Sequence, residues 1–367
     1  VYFLAMQTTT LQKKEKITTK TTNINQSSEY LKPGVNISTN GIDFVISGKP
    51  NQKVHWVGDY NDWSLDQSLE YEKDLKGYRF HMPASSFGIY FYKWVVDGEW
   101  ILDPCNPETY TNGTMGTNSM VKMPAYHEPF EVALPELKNV FSQLVRDQIN
   151  SKSLKENRRI DIYYPEEYFR DDQKIFPLLV MQDGSECLDL LPAKNVFDQL
   201  IAKKMVRPFI GILVSPKSGK RDKDYIFNNK FERFLANDLL EWTIENQIRI
   251  SKNRFDRAII GYSLGGLVSV RTALHYPEVY GLAGGESSAF WPRDFKIFDE
   301  MMHLNPQGTQ FYLGCGNLDG GQQMTALMTN LLTRLGIQYQ SRISIGGHDW
   351  YYWKTHLRHA LQYFFPM

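Results

Sequence analysis

The chain has 367 residues, 42% of them hydrophobic, and its 41 Lys plus Arg balance its 41 Asp plus Glu. That length exceeds the roughly 250–300 residues over which one core keeps growing, so two domains are expected, while the charge balance argues against nucleic acid or an anionic membrane as partner. Three cysteines far apart, with no C-x-x-C pair, speak against a zinc or redox motif, and no run approaches the roughly 20 apolar residues that cross a bilayer.

In chain order, Val1–Met6 is apolar and reads either as the end of a signal peptide or as no targeting segment. The expected compartment is the cytoplasm, or the periplasm or exterior if a leader ends there. Thr8 to Ser28 is polar, with too little apolar surface to offset ordering entropy, and residues 1–35 are expected to form a disordered arm. Residues 36–123 carry short alternating runs, such as Ile42-Phe44-Ile46, Tyr78-Phe80-Met82 and Tyr90-Tyr92-Trp94-Val96, parted by turn signals at Gly58-Asp59 and Asp97-Gly98. Period two with frequent turns predicts an all-β sandwich. Residues 124–137 hold three prolines and no period, which predicts a linker.

From 138 to 367 the pattern alternates. Strand-like runs at 159–164, 178–181, 209–214, 257–260, 310–313 and 338–343 are interleaved with helical patterns at 190–204, 231–246, 267–275, 322–335 and 353–364. Such alternation predicts an α/β fold with a mostly parallel sheet wrapped by helices.

Gly261-Tyr262-Ser263-Leu264-Gly265 is a G-x-S-x-G in which a β-branched strand runs straight into a helix. The chemistry needs that setting: a nucleophilic serine sits on a sharp turn where strand and helix approach so closely that flanking residues must lack a Cβ. The Leu264 N–H then points toward a developing oxyanion, and further donation is expected from the Gly184 and Ser185 amides, after the strand at 178–181. Of the eight histidines, His348 alone follows a strand and two glycines, Gly346 and Gly347, placing it as the base. His356 and His359 are expected on the surface of the last helix. Asp319, in the loop after the strand at 310–313, is the best candidate for the orienting acid, with Asp349 and Glu286 as alternatives. Trp350 and Trp353, three apart, are expected either to line the substrate pocket or to anchor the last helix. No metal and no cofactor is expected.

Together, Gly261-Tyr262-Ser263-Leu264-Gly265-Gly266, His275-Tyr276-Pro277-Glu278 and Gly346-Gly347-His348-Asp349-Trp350-Tyr351-Tyr352-Trp353 resemble the esterase D family, and within it the enterochelin esterases. Asp183-Gly184 and Arg221-x-x-Asp224-Tyr225 are similar to further family segments, which implies a substrate-binding role for Arg221. The resemblance covers about residues 130–367 and implies an α/β-hydrolase acting on catecholate siderophore esters. Gly316-x-x-Asp319 looks instead like the acid loop of feruloyl and acetyl-xylan esterases, which implies a carbohydrate ester as the alternative substrate.

The front module resembles the immunoglobulin-like early-set sandwiches of carbohydrate-binding family 48, through Val57-Gly58-Asp59-Tyr60-Asn61-Asp62-Trp63-Ser64, Tyr92–Trp100, Asp103–Pro107 and Gly116–Ser119. The resemblance implies sugar contacts at Trp63, Lys93, Trp100 and Asn118, or a module fused as a spacer. A glycan-binding protein with an inactive hydrolase scaffold is the rival from another class. The expected partner is thus a small or polysaccharide-linked ester, with the oligomeric state open.

Overall fold

The computed structural model describes residues 31–84, 87–304, 306 and 308–367. The arm expected over residues 1–35 lies, up to residue 30, outside the described residues. Residues 32–367 form one compact unit.

Its first part is all β. Strands β1 (Gly34–Ser38), β2 (Gly41–Ser47), β3 (Val54–Gly58), β4 (Tyr71–Glu72), β5 (Gly77–Met82), β6 (Ile89–Val96), β7 (Glu99–Ile101), β8 (Thr109–Thr111) and β9 (Thr117–Lys122) make two sheets. One runs β1-β2-β5-β4 and the other β3-β6-β9-β8, with β7 paired to β6. Alternation decides the faces. Phe44, Trp56, Phe80, Tyr92 and Trp94 form the inner core, where Trp56 stacks on Phe80 at 4.3 Å. The opposite face of β6 and β9 presents Phe91 and Met120, which pack on Tyr351 of the last helix.

The second part holds an eight-stranded sheet in the order β10-β11-β13-β12-β14-β15-β16-β17. The strands are β10 (Gln143–Ser151), β11 (Glu156–Tyr164), β12 (Leu178–Gln182), β13 (Ile210–Val214), β14 (Arg257–Tyr262), β15 (Leu282–Glu286), β16 (Gln310–Gly316) and β17 (Tyr339–Ser344). The pairings β10–β11 and β11–β13 are antiparallel, and those from β13 through β17 are parallel. Counted with the sandwich, antiparallel pairings outnumber parallel ones, so the fold is mixed, and the parallel sheet expected for residues 138–367 is met in part, from β13 through β17. Strands β12 to β15 are buried along their whole length, as parallel strands covered on both faces must be.

Strand β10 escaped the sequence reading because it is an edge strand with most residues exposed, so it shows no hydrophobic alternation. The stretch expected as a free linker is packed down: Phe130–Ala133 is helical, and Asn195 and Gln199 side chains donate to the Leu134 and Pro135 carbonyls at 3.0 and 2.9 Å. Among the described residues, no helix is long and apolar enough to cross a membrane.

The chain leaves β12 for β13 on one side and returns to β14 on the other. At such a switch the loops diverge and open a crevice beyond the carboxyl ends of the strands.

Candidate active site

Ser263 lies between β14 and the helix Leu264–His275, with φ 54° and ψ −121°. A side chain in this region is strained by about 1–3 kcal/mol, and the surroundings hold it there. The Ser263 N–H donates to the Glu286 carbonyl at 3.0 Å, and its own carbonyl accepts from Ala289 N at 3.0 Å. A Cβ on Gly261 would collide with the Gly265 backbone, and one on Gly265 would come within 3.1 Å of the Gln182 and Asp183 side chains. Strand and helix thus touch where the two glycines stand. Leu264 opens the helix, so its N–H has no intrahelical acceptor.

At the ends of β16 and β17, Asp319 and His348 meet. His348 Nδ1 lies 2.9 Å from Asp319 Oδ2, the imidazole being 38% and the carboxylate 1% exposed. Asp319 Oδ1 accepts from the Gly321 N–H at 2.7 Å. Burial alone would raise the Asp319 pKa, but the hydrogen bond and charge of His348 together with the Ser287 and Gly321 bonds hold it below the ordinary aspartate value. An ionised Asp319 requires the proton of the neutral imidazole on Nδ1, which leaves Nε2 as the acceptor. Trp353 packs edge-on against His348 at 5.2 Å and donates its Nε1–H to Ser287 Oγ at 3.0 Å.

The alternative acids stand apart from this pair. Asp349 caps the helix Trp350–Phe364, accepting from Tyr352 N at 2.7 Å, and burial pushes its pKa up to about 6. Glu286 is fully buried at the end of β15, where burial pushes it up to about 8.

On the other flank, after β12, Asp183 is buried and held by Arg221 in a two-pronged pair at 2.7 and 2.8 Å. Arg221 also donates to the Tyr262 carbonyl at 3.3 Å, and the Asp183 N–H donates to Tyr225 Oη at 3.0 Å. Burial opposes the Arg221 charge, but bonding and charge from Asp183 keep its pKa above the ordinary value. Arg221 thus braces the chain just before Ser263 through Nε and one terminal nitrogen, its side chain remaining 35% exposed. Ser185 is corrected, since its N–H already donates to Ser215 Oγ at 3.1 Å. Gly184 begins the helix Gly184–Asp189 against the Leu213 backbone.

Trp350 and Trp353 are 6% and 2% exposed and cluster with buried Tyr262, whose ring lies 5.3 and 5.2 Å from theirs, their own rings being 4.9 Å apart. They anchor the last helix behind the site, the second of the two roles expected. His356 is half-buried and stacks on Tyr352 at 4.0 Å, not at the surface. A residue missed by the sequence reading is Trp291, 53% exposed and two residues past the Ala289 amide that bonds Ser263. The available signal was the apolar, aromatic run Ala289-Phe290-Trp291, which follows a strand after two serines.

In the sandwich, strand register puts Lys93, Trp100 and Asn118 on one face. Trp100 is 47% exposed, whereas Asn118 is buried, and its cross-strand neighbour Tyr110 packs edge-on against Tyr351 at 5.2 Å. Trp63 donates to Asp59 Oδ1 at 3.2 Å and packs on the cluster of Phe91, Met120 and Tyr351. Of the four expected sugar residues, Trp100 is the exposed one. Among the described residues, no three His, Cys, Asp or Glu side chains are grouped to hold a metal ion.

The Esterase family's sequence model matches residues 151–364. Over 299 residues the chain is 23% identical to an endo-1,4-beta-xylanase/feruloyl esterase of Xylanibacter ruminicola, covering 76% of this chain and 38% of that protein. It is 24% identical over 217 residues to an iron(III) salmochelin esterase of Escherichia coli O6:H1, covering 54% of this chain and 52% of that one. The chain therefore spans only part of these relatives. The crystal structure of an enterochelin esterase from Shigella flexneri superposes with a TM-score of 0.72 at 18% identity, covering 92% of this chain and 96% of that one, a likeness of fold.

Proposed function

Because this chain belongs to the Esterase family, we propose that it is a serine carboxylic-ester hydrolase that works through an acyl-enzyme and cleaves the ester backbone of a catecholate siderophore. The observation that carries the reading is the His348–Asp319 pair brought to the same sheet edge as a serine on a strained, Gly-flanked turn. Residues 34–123 then act as a sandwich module, and the sheet of residues 138–367 as an α/β-hydrolase core in which five of seven strand pairings are parallel.

His348 Nε2 takes the Ser263 hydroxyl proton as Oγ attacks the ester carbonyl, and Asp319 stabilises the imidazolium that forms. The Leu264 N–H and the Gly184 N–H receive the oxyanion. His348 returns the proton to the leaving alcohol, and water hydrolyses the acyl-enzyme by the same route. Exposed Trp291 offers an apolar face to an aromatic acyl group.

Siderophore ester is favoured over carbohydrate ester by likeness to an enterochelin esterase over both parts of the molecule. Feruloyl-ester hydrolysis is the second reading, favoured by the 76% of the chain aligned with the xylanase/feruloyl esterase. Both are tested by measuring hydrolysis of ferric enterobactin, methyl ferulate and acetylated xylan side by side with wild type and Ser263→Ala. Faster turnover of ferric enterobactin, abolished in Ser263→Ala, is the expected result. Methyl ferulate preferred by ten-fold or more would select the second reading, and turnover retained by Ser263→Ala would remove the serine mechanism.

A further inference from the structure

Resting on that reading, we propose that Asp59, a residue of the sandwich, is a positioning residue for the catalytic base, its carboxyl bracing the His348 loop through Gly347. Asp59 directly follows β3 and is buried. Its two oxygens are fixed by the sandwich itself, Oδ1 accepting from Trp63 Nε1 at 3.2 Å and Oδ2 from Phe91 N at 2.9 Å. A Cβ on Gly347 would stand 2.6 Å from Oδ1 and 2.8 Å from Cγ of Asp59. The carboxyl is thus in close contact with the backbone one residue before His348, at a distance only glycine permits.

The contact is one of a set. Leu318 and Ile345 pack on the sandwich core, and a Cβ on Gly320 would lie 3.4 Å from Asp62 Oδ1. Beyond the base, the Trp350 N–H donates to Asn112 Oδ1 of the sandwich at 2.8 Å. Leu318 and Gly347, each one residue before a member of the pair, and Trp350, two residues after His348, thus lie against sandwich residues. The two loops are also tied together by the Leu318 N–H, which donates to the Gly346 carbonyl at 3.0 Å. Because His348 is 38% exposed and holds one side-chain bond to Asp319, the direction of its Nε2 depends on where this backbone sits. Burial and the neighbouring Asp349 hold Asp59 well above the ordinary aspartate value; because both its oxygens accept from N–H donors, Asn keeps one of the two bonds and loses the other.

The test is a double-mutant cycle on the full chain, read as kcat and KM for p-nitrophenyl acetate, with folded protein quantified by circular dichroism. Gly347→Ala, which presses a methyl into Asp59, is expected to lower kcat on the order of 30-fold or more at nearly constant KM, since displacement by about 1 Å costs on the order of 10²-fold. Asp59→Ala is expected to lower it by about 10-fold, and Asp59→Asn, which keeps one acceptor oxygen, by less than Asp59→Ala. The double variant Asp59→Ala/Gly347→Ala is expected to recover to about the level of Asp59→Ala, because the two residues act through one contact. Additive losses, or losses explained by less folded protein at unchanged kcat, overturn the proposal. If Asp59→Ala does not fold, Asp59→Glu replaces it: a carboxylate one methylene longer must push Gly347 and lower kcat, and an unchanged kcat overturns the proposal. Failure of the serine mechanism is a separate event, seen as turnover retained in Ser263→Ala.

Discussion

The two loops that flank Ser263 both contain a carboxylate paired to a nitrogen base, yet they are built for opposite ends. After β12, Asp183 is gripped by Arg221 through two hydrogen bonds, with the guanidinium also bound to the Tyr262 carbonyl. After β16, Asp319 holds His348 through one ring nitrogen, leaving the imidazole 38% exposed. A planar fork with a permanently held charge fixes backbone, whereas an imidazole held at one nitrogen keeps the other for proton transfer. Charge pairing beside the proposed nucleophile thus does not by itself mark chemistry.

The largest test of this contrast is His348→Ala, expected to lower kcat by about 10⁴–10⁶-fold, as for other triad bases, while thermal unfolding shows a loss of at most about 2 kcal/mol for one partly exposed hydrogen bond. Comparable losses of activity and folding would make His348 a structural residue like Arg221. Next, Asp319→Asn should lower kcat by about 10²–10⁴-fold with KM little changed, because the imidazole loses its orienting carboxylate. A silent Asp319→Asn beside a severe Asp349→Asn would move the acid to the helix cap. Since the folded pKa of Asp319 is depressed, its ionised form stabilises the fold above the usual aspartate range, and that stability disappears as pH falls below it.

Arg221→Met should show the reverse pattern. Unfolding titrations are expected to report a loss of about 2–4 kcal/mol, because a buried carboxylate is left without its cation, with kcat for the folded protein within about ten-fold of wild type. A kcat loss equal to that of Asp319→Asn would return Arg221 to the substrate. The smallest effect concerns Glu286, a buried carboxyl with no cation in contact, whose pKa is pushed up to about 8. A native state that keeps this proton longer than the unfolded chain loses stability as pH rises toward 8. Glu286→Gln should flatten that decline, seen as a melting temperature varying less between pH 5 and 8; an unaltered slope would mean Glu286 is ionised in the native protein.

Much of the site was legible because it depends on neighbours in sequence. Gly261, Ser263 and Gly265 satisfy a local steric demand, and the placement of Asp319 and His348 after successive strands follows from chain order in a sheet of alternating β and α elements. The helix-cap role of Asp349 is local too, since it bonds the N–H three residues on, yet the proximity of His348 drew attention to its charge instead.

Other assignments turned on partners remote in sequence. Arg221 reads equally as a ligand for substrate or for Asp183, 38 residues away, and only the folded chain shows which acceptor it meets. Trp350 and Trp353 read as pocket or core until they are seen clustered with buried Tyr262. Residue type and spacing determined the strand-to-helix turn, the two-part layout and the chemistry on offer, because steric and periodic rules act over a few residues. Tertiary structure decided which polar groups were already satisfied, and it set the sandwich's Asp59 against Gly347, because packing brings together residues about which local pattern carries no information.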